Sequence, residues 1–265
     1  MSTQYEKLLK TKEFLKDKEK FSLVYKMLKS DKKLFLSDGE NYLVARGTVG
    51  YPTWVWTKDN LDYEKFLEVE RLVKENYLVE EENSFTCKKD VYKYFEKDLE
   101  AYNYFEMGFL LCKKLNDVKL ANGFLDHPKY SDKTRLAKFW QDNSKEMDYQ
   151  EELTYQEALE EVSKWLDDDK YFVWRNTEGK AVTLGCYSTD NGLAKLSHVY
   201  TPPEERCKGY CRSLVYEVTK QLLEEGLTPV LYTDLNYEAS NHTYKKVGYE
   251  DQGYLVNFKV KRKEN

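Results

Sequence analysis

The chain has 265 residues, 41% of them hydrophobic and 34% charged, with only 12 Gly and 5 Pro. At about 150 residues per domain this length means one large or two ordinary domains, and the composition excludes collagenous and low-complexity disordered chains. Forty-two basic against 47 acidic residues leave a net charge of -5, which argues against a nucleic-acid partner bound through phosphate neutralisation. No run approaches the roughly 18 apolar residues of a membrane span, and the stretch Met1-Ser2-Thr3-Gln4-Tyr5-Glu6-Lys7 is too charged for a secretory leader. The expectation is a cytoplasmic protein with no membrane partner. Its five cysteines, Cys87, Cys112, Cys186, Cys207 and Cys211, include no CxxC pair, so no disulfide framework and no metal site are expected.

Residues 1–29 place apolar side chains at spacings that predict two short amphipathic helices capping a sheet. Strands are predicted at Lys33–Leu36, Tyr42–Val49 and Trp54–Trp56, with a break at Gly50-Tyr51-Pro52. Helical patterns follow at about 62–75 and 88–115. Beyond Asp126-His127-Pro128 come helical patterns at about 132–147 and 155–168, the second opened by a Thr154 and Glu157 capping box. Three strands then alternate with the turns Asn176-Thr177-Glu178-Gly179 and Thr189-Asp190-Asn191-Gly192, an antiparallel meander. A helix from Tyr210 ends near Gly226, a strand covers Val230–Asp234, a short helix Glu238–Val247 stops at Gly248, and Tyr249–Val260 alternates as a last strand. The expected fold class is α+β, with a mixed, mainly antiparallel sheet flanked by helices. The division expected is 1–117, an additional N-terminal α+β half, and 118–265.

The chemically informative segment runs from His198 to Cys211. A strand ends in Pro202-Pro203, and a short basic loop with Gly209 leads into a helix. Such a loop is an anion cradle: the first amides of a helix lack intrahelical partners, its dipole adds positive potential, and glycine permits close approach. Arg206 and Lys208 add charge.

The run Arg206-Cys207-Lys208-Gly209-Tyr210-Cys211 resembles the Arg/Gln-x-x-Gly-x-Gly/Ala signature of the GCN5-related N-acetyltransferases (GNAT). It sits between a fourth strand and its helix, as in that family. Asn236 to Gly248, with Asn241, Tyr244 and Gly248-Tyr249, is similar to the family's turn, helix and Tyr-x-x-x-Gly-Phe/Tyr ending. The resemblance covers about 118–260. It implies acetyl-CoA as co-substrate, its pyrophosphate held by Cys207, Lys208, Gly209, Tyr210 and Cys211 with Arg206 beside them. Its pantetheine arm would pair with Val199, Tyr200 and Thr201 where strands four and five splay. Asn236 and Asn241 would bind the cofactor or cap the turn and helix. Tyr244 would protonate the leaving thiolate; its other reading is a packing tyrosine, one of 23.

The resemblance further implies acetyl transfer to a primary amine of a small molecule or peptide by direct attack in a ternary complex, with the N-terminal half shaping the acceptor cleft. The alternative is a catalytically weak or inactive acyl-CoA-binding or regulatory module, because Cys207 and Cys211 put bulk where the family favours small residues. Thiols at this helix start are expected to have lowered pKa values. A competing reading brings Cys207, Cys211, His198 and His242 onto zinc. Candidates for a general base are Glu106, Glu178 and Asp234. Tyr51, Trp54 and Trp56 either line a substrate pocket or pack the sheet, and Asp167-Asp168-Asp169 reads as a solvated helix end.

Overall fold

The computed structural model describes residues 3–29, 34–47, 51–78, 81–98, 100–146 and 152–261. The expectations at Lys33, Val49, Gly50 and Met147 fall outside these. The chain divides into two compact units, one of Met1–Gly108, Asp234–Asn236 and Gly253–Asn265, the other of Phe109–Thr233 and Tyr237–Gln252.

The first unit opens with α1 (Gln4–Leu8), α2 (Lys12–Asp17) and α3 (Ser22–Met27). Three helices replace the expected two because Thr11, through its Oγ1, accepts the Phe14 N–H at 3.2 Å and starts a separate helix. Strands β1 (Leu34–Ser37), β2 (Tyr42–Arg46) and β3 (Thr53–Thr57) form antiparallel pairs. They are followed by α4 (Tyr63–Asn76), β4 (Glu82–Cys87), α5 (Lys89–Asp98) and β5 (Ala101–Leu111). β4 lies parallel to β3 and antiparallel to Val256–Lys261 of the final strand. Trp54 and Trp56 are buried, Trp56 edge-on to Phe14 and donating to Asp17. They pack the sheet, while Tyr51 is 69% exposed.

The helical pattern at 88–115 is corrected to a helix and a strand. At its end, Phe109 and Leu111 pack with Val230 while Leu110 and Cys112 join a different buried cluster. Neighbours facing opposite ways, both covered, are the period-two signature of a central strand. β4 escaped notice because Glu82-Asn83-Ser84 gives it little apolar pattern.

The second unit continues with β6 (Phe124–Asp126), a 3-10 turn (Tyr130–Asp132), α6 (Lys133–Glu146) and α7 (Tyr155–Trp165). Thr154 and Glu157 form the expected capping box. Then come β7 (Tyr171–Arg175), β8 (Ala181–Asp190), β9 (Leu193–Tyr200), α8 (Tyr210–Glu224), β10 (Thr228–Asp234), α9 (Glu238–Val247) and β11 (Glu250–Lys261). β6 to β9 form an antiparallel meander, β10 lies parallel to β9, and the Cys112 N–H donates to the Pro229 carbonyl on the far side of β10. Asn191 and Gly192, at φ 48° and 78°, make the tight turn from β8 to β9. The architecture is mixed α+β, mostly antiparallel and flanked by helices. Both helix stops hold: Leu227 and Gly226 donate to Leu222 and Leu223, and Tyr249 and Gly248 to Tyr244 and Lys245. A side chain at Gly248 (φ 124°) would run into the Lys114 carbonyl.

One polar knot ties the meander to its edge. The buried Arg175 guanidinium donates to Asp132 at 2.7 Å and 3.1 Å, to Asp126, and to the carbonyls of His127 and Gly179. Arg175→Met leaves two carboxylates without their partner and should cost about 3–5 kcal/mol, measurable by urea unfolding. Burial works to raise the Asp126 pKa, but hydrogen bonds from Lys129, Arg175 and the His127 N–H outweigh it and bring it to about 2. Below pH 4 the unfolded chain therefore binds more protons than the native one, and stability should fall as pH drops toward about 2. The Arg175→Met variant should lose part of that slope, since Lys129 and the His127 N–H still hold Asp126. An equal slope in both proteins would deny Arg175 this role.

Candidate functional site

β9 and β10 share a parallel register only from Leu193↔Thr228 to Leu196↔Leu231. Beyond it they part. On its other side β9 slips against β8: Ser197 faces Cys186, but Tyr200 faces Leu184. β9 therefore carries one extra residue there, a β-bulge. Opposite the bulge, a Cβ on Gly185 would lie 2.8 Å from Leu214 Cδ2, so glycine lets α8 approach the sheet closely. Side chains of β9 alternate across the layers, Leu196 and Val199 toward the cluster containing α8 and Tyr200 toward that of α6 and α7.

From Tyr200 the chain turns through Thr201, Pro202 and a 3-10 turn at Pro203–Glu205 into the basic loop. Cys207 and Gly209 adopt left-handed φ of 60° and 83°. Gly209 is the N-cap of α8, which has no side-chain cap and no acidic residue in its first turn. The opening amides of the helix, with their share of the dipole, are left to an external acceptor. A Cβ at Gly209 would lie 3.2 Å from Arg212 Nη2 and 3.7 Å from Ala121 Cβ.

The loop cations are engaged. Arg206 Nη2 meets both oxygens of Glu146 at 2.8 Å and 2.6 Å, and Arg206 Nε donates to the Thr201 carbonyl at 2.9 Å. Glu146 also accepts from the Tyr200 hydroxyl at 3.1 Å. Burial opposes the Arg206 charge, yet Glu146 holds its pKa above the ordinary value. Lys208 pairs with Glu205 at 2.9 Å. Two carboxylates thus belong to the loop that sequence reading missed; Glu146 lies sixty positions from its arginine, and no local pattern announces it. Two further missed neighbours are Lys119, whose carbonyl accepts from Arg212 at 2.9 Å, and Ser213, whose Oγ accepts the Ala121 N–H at 2.7 Å and donates to the Gly209 carbonyl at 3.0 Å.

The two loop cysteines differ. Cys207 is exposed, while Cys211 turns inward, and burial pushes its thiol up to about 12 against a hydrogen bond with Thr201. The expected lowering is corrected for Cys211, because its side chain faces the apolar interior and not the helix pole. Its bulk also lies inside. Alkylation should accordingly label Cys207 and spare Cys211 in the native protein, as peptide mapping will show; labelling of both at equal rates would contradict this burial. The four residues of the zinc reading are not brought together: the His198 ring lies 4.4 Å from that of Trp140, and His242 is exposed. Among the described residues no group of three or more His, Cys, Asp or Glu is placed to hold a metal ion.

Tyr244 is 8% exposed, in one buried cluster with Leu196 and Leu231, at which the β9–β10 ladder ends, and edge-on to Tyr249 at 6.0 Å. Asn241 Nδ2 donates to the Tyr237 carbonyl at 3.1 Å. Asn236 belongs to the first unit, where its N–H donates to Asp234. Of the base candidates, Glu106 is in the first unit, bonded by Lys89 and Tyr104, which lower its pKa in that order. Glu178 sits exposed in the β7–β8 turn. Asp234, like Glu106, belongs to the first unit, and the loop to the second. Asp168 accepts the Lys170 N–H at 2.9 Å, as expected of a helix end.

A family model, that of FR47-like proteins, matches residues 175–256, the stretch from β7 to β11. No curated protein matches by sequence. Among solved structures, the GCN5-related N-acetyltransferase of Sphaerobacter thermophilus superposes with a TM-score of 0.63 at 10% identity, covering 98% of this chain and 94% of that one. That of Kribbella flavida gives 0.63 at 11% identity, covering 91% and 95%. A GNAT-family acetyltransferase from Colwellia psychrerythraea gives 0.58 at 13%, covering 92% and 90%. The chain carries an FR47-like domain and has the fold of the GNAT acetyltransferases. Among the described residues no helix is long and apolar enough to cross a membrane.

Proposed function

We propose that this protein is an N-acetyltransferase that moves acetyl from acetyl-CoA to a primary amine. The observation that carries the reading is the early end of the β9–β10 ladder beside the uncapped start of α8. Val199, Tyr200 and Thr201 present the β9 backbone along that gap, which suits an extended arm bearing amides, as an added strand would. The amides from Cys207 to Cys211 suit a pyrophosphate, and left-handed Gly209 keeps the approach clear. Arg206, clasped to Glu146 and Thr201, braces the loop next to that anion. Asn241 and Asn236 are given structural roles within their helix and turn.

The thioester supplies the acetyl group. An amine forming a bond to its carbonyl carbon breaks the C–S bond, and the departing thiolate needs a proton. Tyr244, in the cluster that lines the end of the ladder, is assigned to donate it from its phenol. Direct attack in a ternary complex is favoured, since exposed Cys207 belongs to the phosphate loop and the other four cysteines are buried or half-buried. A second reading, a CoA-binding module without turnover, is favoured by the state of the base candidates: Glu106 is bonded by Lys89 and Tyr104, and Glu178 sits exposed in a turn.

The deciding experiment measures CoA release from acetyl-CoA against a panel of polyamines, amino acids, aminoglycosides and peptides, beside thermal unfolding with CoA. Stabilisation by CoA with release on at least one amine is expected. Stabilisation without release across the panel would assign the second reading, and no stabilisation at millimolar CoA would reject both.

A further inference from the structure

The extra residue in β9 has a backbone that side chains rarely adopt. His198 lies at φ 54°, two residues past Leu196, where pairing with β10 ends. A left-handed residue with a Cβ persists only where its surroundings over-determine it, and such outliers concentrate at working sites. The surroundings here are aromatic. The imidazole centroid is 4.4 Å from Trp140 on α6, 5.8 Å from Trp165 on α7 and 6.2 Å from Tyr171 on β7. Its Nδ1 has no hydrogen-bond partner. Burial and then Lys195 depress its pKa to about 4, with Glu161 opposing, so the ring is neutral and held by packing.

We propose that His198 is a positioning residue: its imidazole, wedged among Trp140, Trp165 and Tyr171, holds β9 in the bulge that parts it from β10. The inference rests on the acetyl-CoA reading of the same gap and adds the device that keeps the gap open before a ligand arrives. A ligand needing the open form pays for every molecule in the closed one, because the apparent Kd is the intrinsic Kd divided by the competent fraction.

The side chain and the backbone are separable. Valine at this position disfavours the left-handed region strongly, whereas asparagine accepts it. If His198→Val leaves a tenth of the molecules open, its CoA Kd and the KM for acetyl-CoA should rise about tenfold while kcat at saturation stays the same. His198→Asn, which accepts the left-handed backbone but brings no ring to Trp140, Trp165 and Tyr171, should keep part of that loss, and Trp140→Leu, which removes one wall and leaves the sequence of β9 unchanged, should act in the direction of His198→Val. Amide hydrogen exchange at residues 197–201 of the ligand-free proteins should slow in His198→Val as β9 regains regular pairing. An unchanged Kd in both His198→Val and Trp140→Leu would overturn the proposal, as would full recovery of the Kd in His198→Asn, which would leave the imidazole no part in holding the bulge. Should the unmutated protein not bind CoA, the acetyl-CoA reading fails by itself, and unchanged exchange in the ligand-free variants would refute the wedge separately.

Discussion

Replacing Gly209 by glutamate is expected to abolish the rise in melting temperature that CoA gives the unmutated protein. Gly209 is at φ 83° at the uncapped start of α8, and a Cβ there would sit 3.2 Å from Arg212 Nη2. Glutamate places both bulk and negative charge where an anion would dock, and its carboxylate competes for the same amides. At CoA a hundredfold above its Kd the ligand stabilises by about 2.7 kcal/mol, which for a chain of this size is a shift of roughly 5–10 °C. Left-handed glutamate also lowers the starting temperature, so the difference between samples with and without CoA is what counts. Equal shifts in both proteins would remove the pyrophosphate from this loop.

Tyr244→Phe should lower kcat by roughly 10- to 1,000-fold with little change in CoA affinity, the range that loss of a general acid produces. The substitution keeps the packing of the ring. The ring stays against Tyr249 and inside the cluster of Leu196, Leu231 and Val247, and only the hydroxyl goes. Far-ultraviolet spectra and CoA titration should thus match the unmutated protein. An undiminished kcat on any accepted amine would make Tyr244 a packing residue, and another group would have to supply the proton.

The second unit was legible because its signals are local. Thr154 with Glu157, Asn191-Gly192, and the glycines after α8 and α9 each fix a boundary within four residues, and between them the periods of two and 3.6 alternate cleanly. The 88–115 segment failed for the opposite reason. Its apolar residues satisfy both periods, and only the two clusters that flank Phe109 and Leu110 decide for a strand. In the site, the glycine and the helix start were readable from one short run. The ion pair of Arg206 with Glu146, the inward turn of Cys211 and the aromatic cage of His198 were not, since each depends on residues brought together from distant strands and helices. The sequence offers His198 to a zinc reading, and three aromatic rings surround it instead.

The pairing of Arg206 with Glu146 and of Lys208 with Glu205 bears on selectivity. A loop whose cations already have partners exerts little long-range pull, so small anions that offer charge without shape gain little from it. On the proposed function, recognition falls to directional groups, the amides at the start of α8 and the β9 backbone along the gap, which would reward a ligand able to meet both at once. Under the acetyl-CoA reading, a long, jointed molecule would be chosen by its outline, and simple phosphates would gain little from the loop.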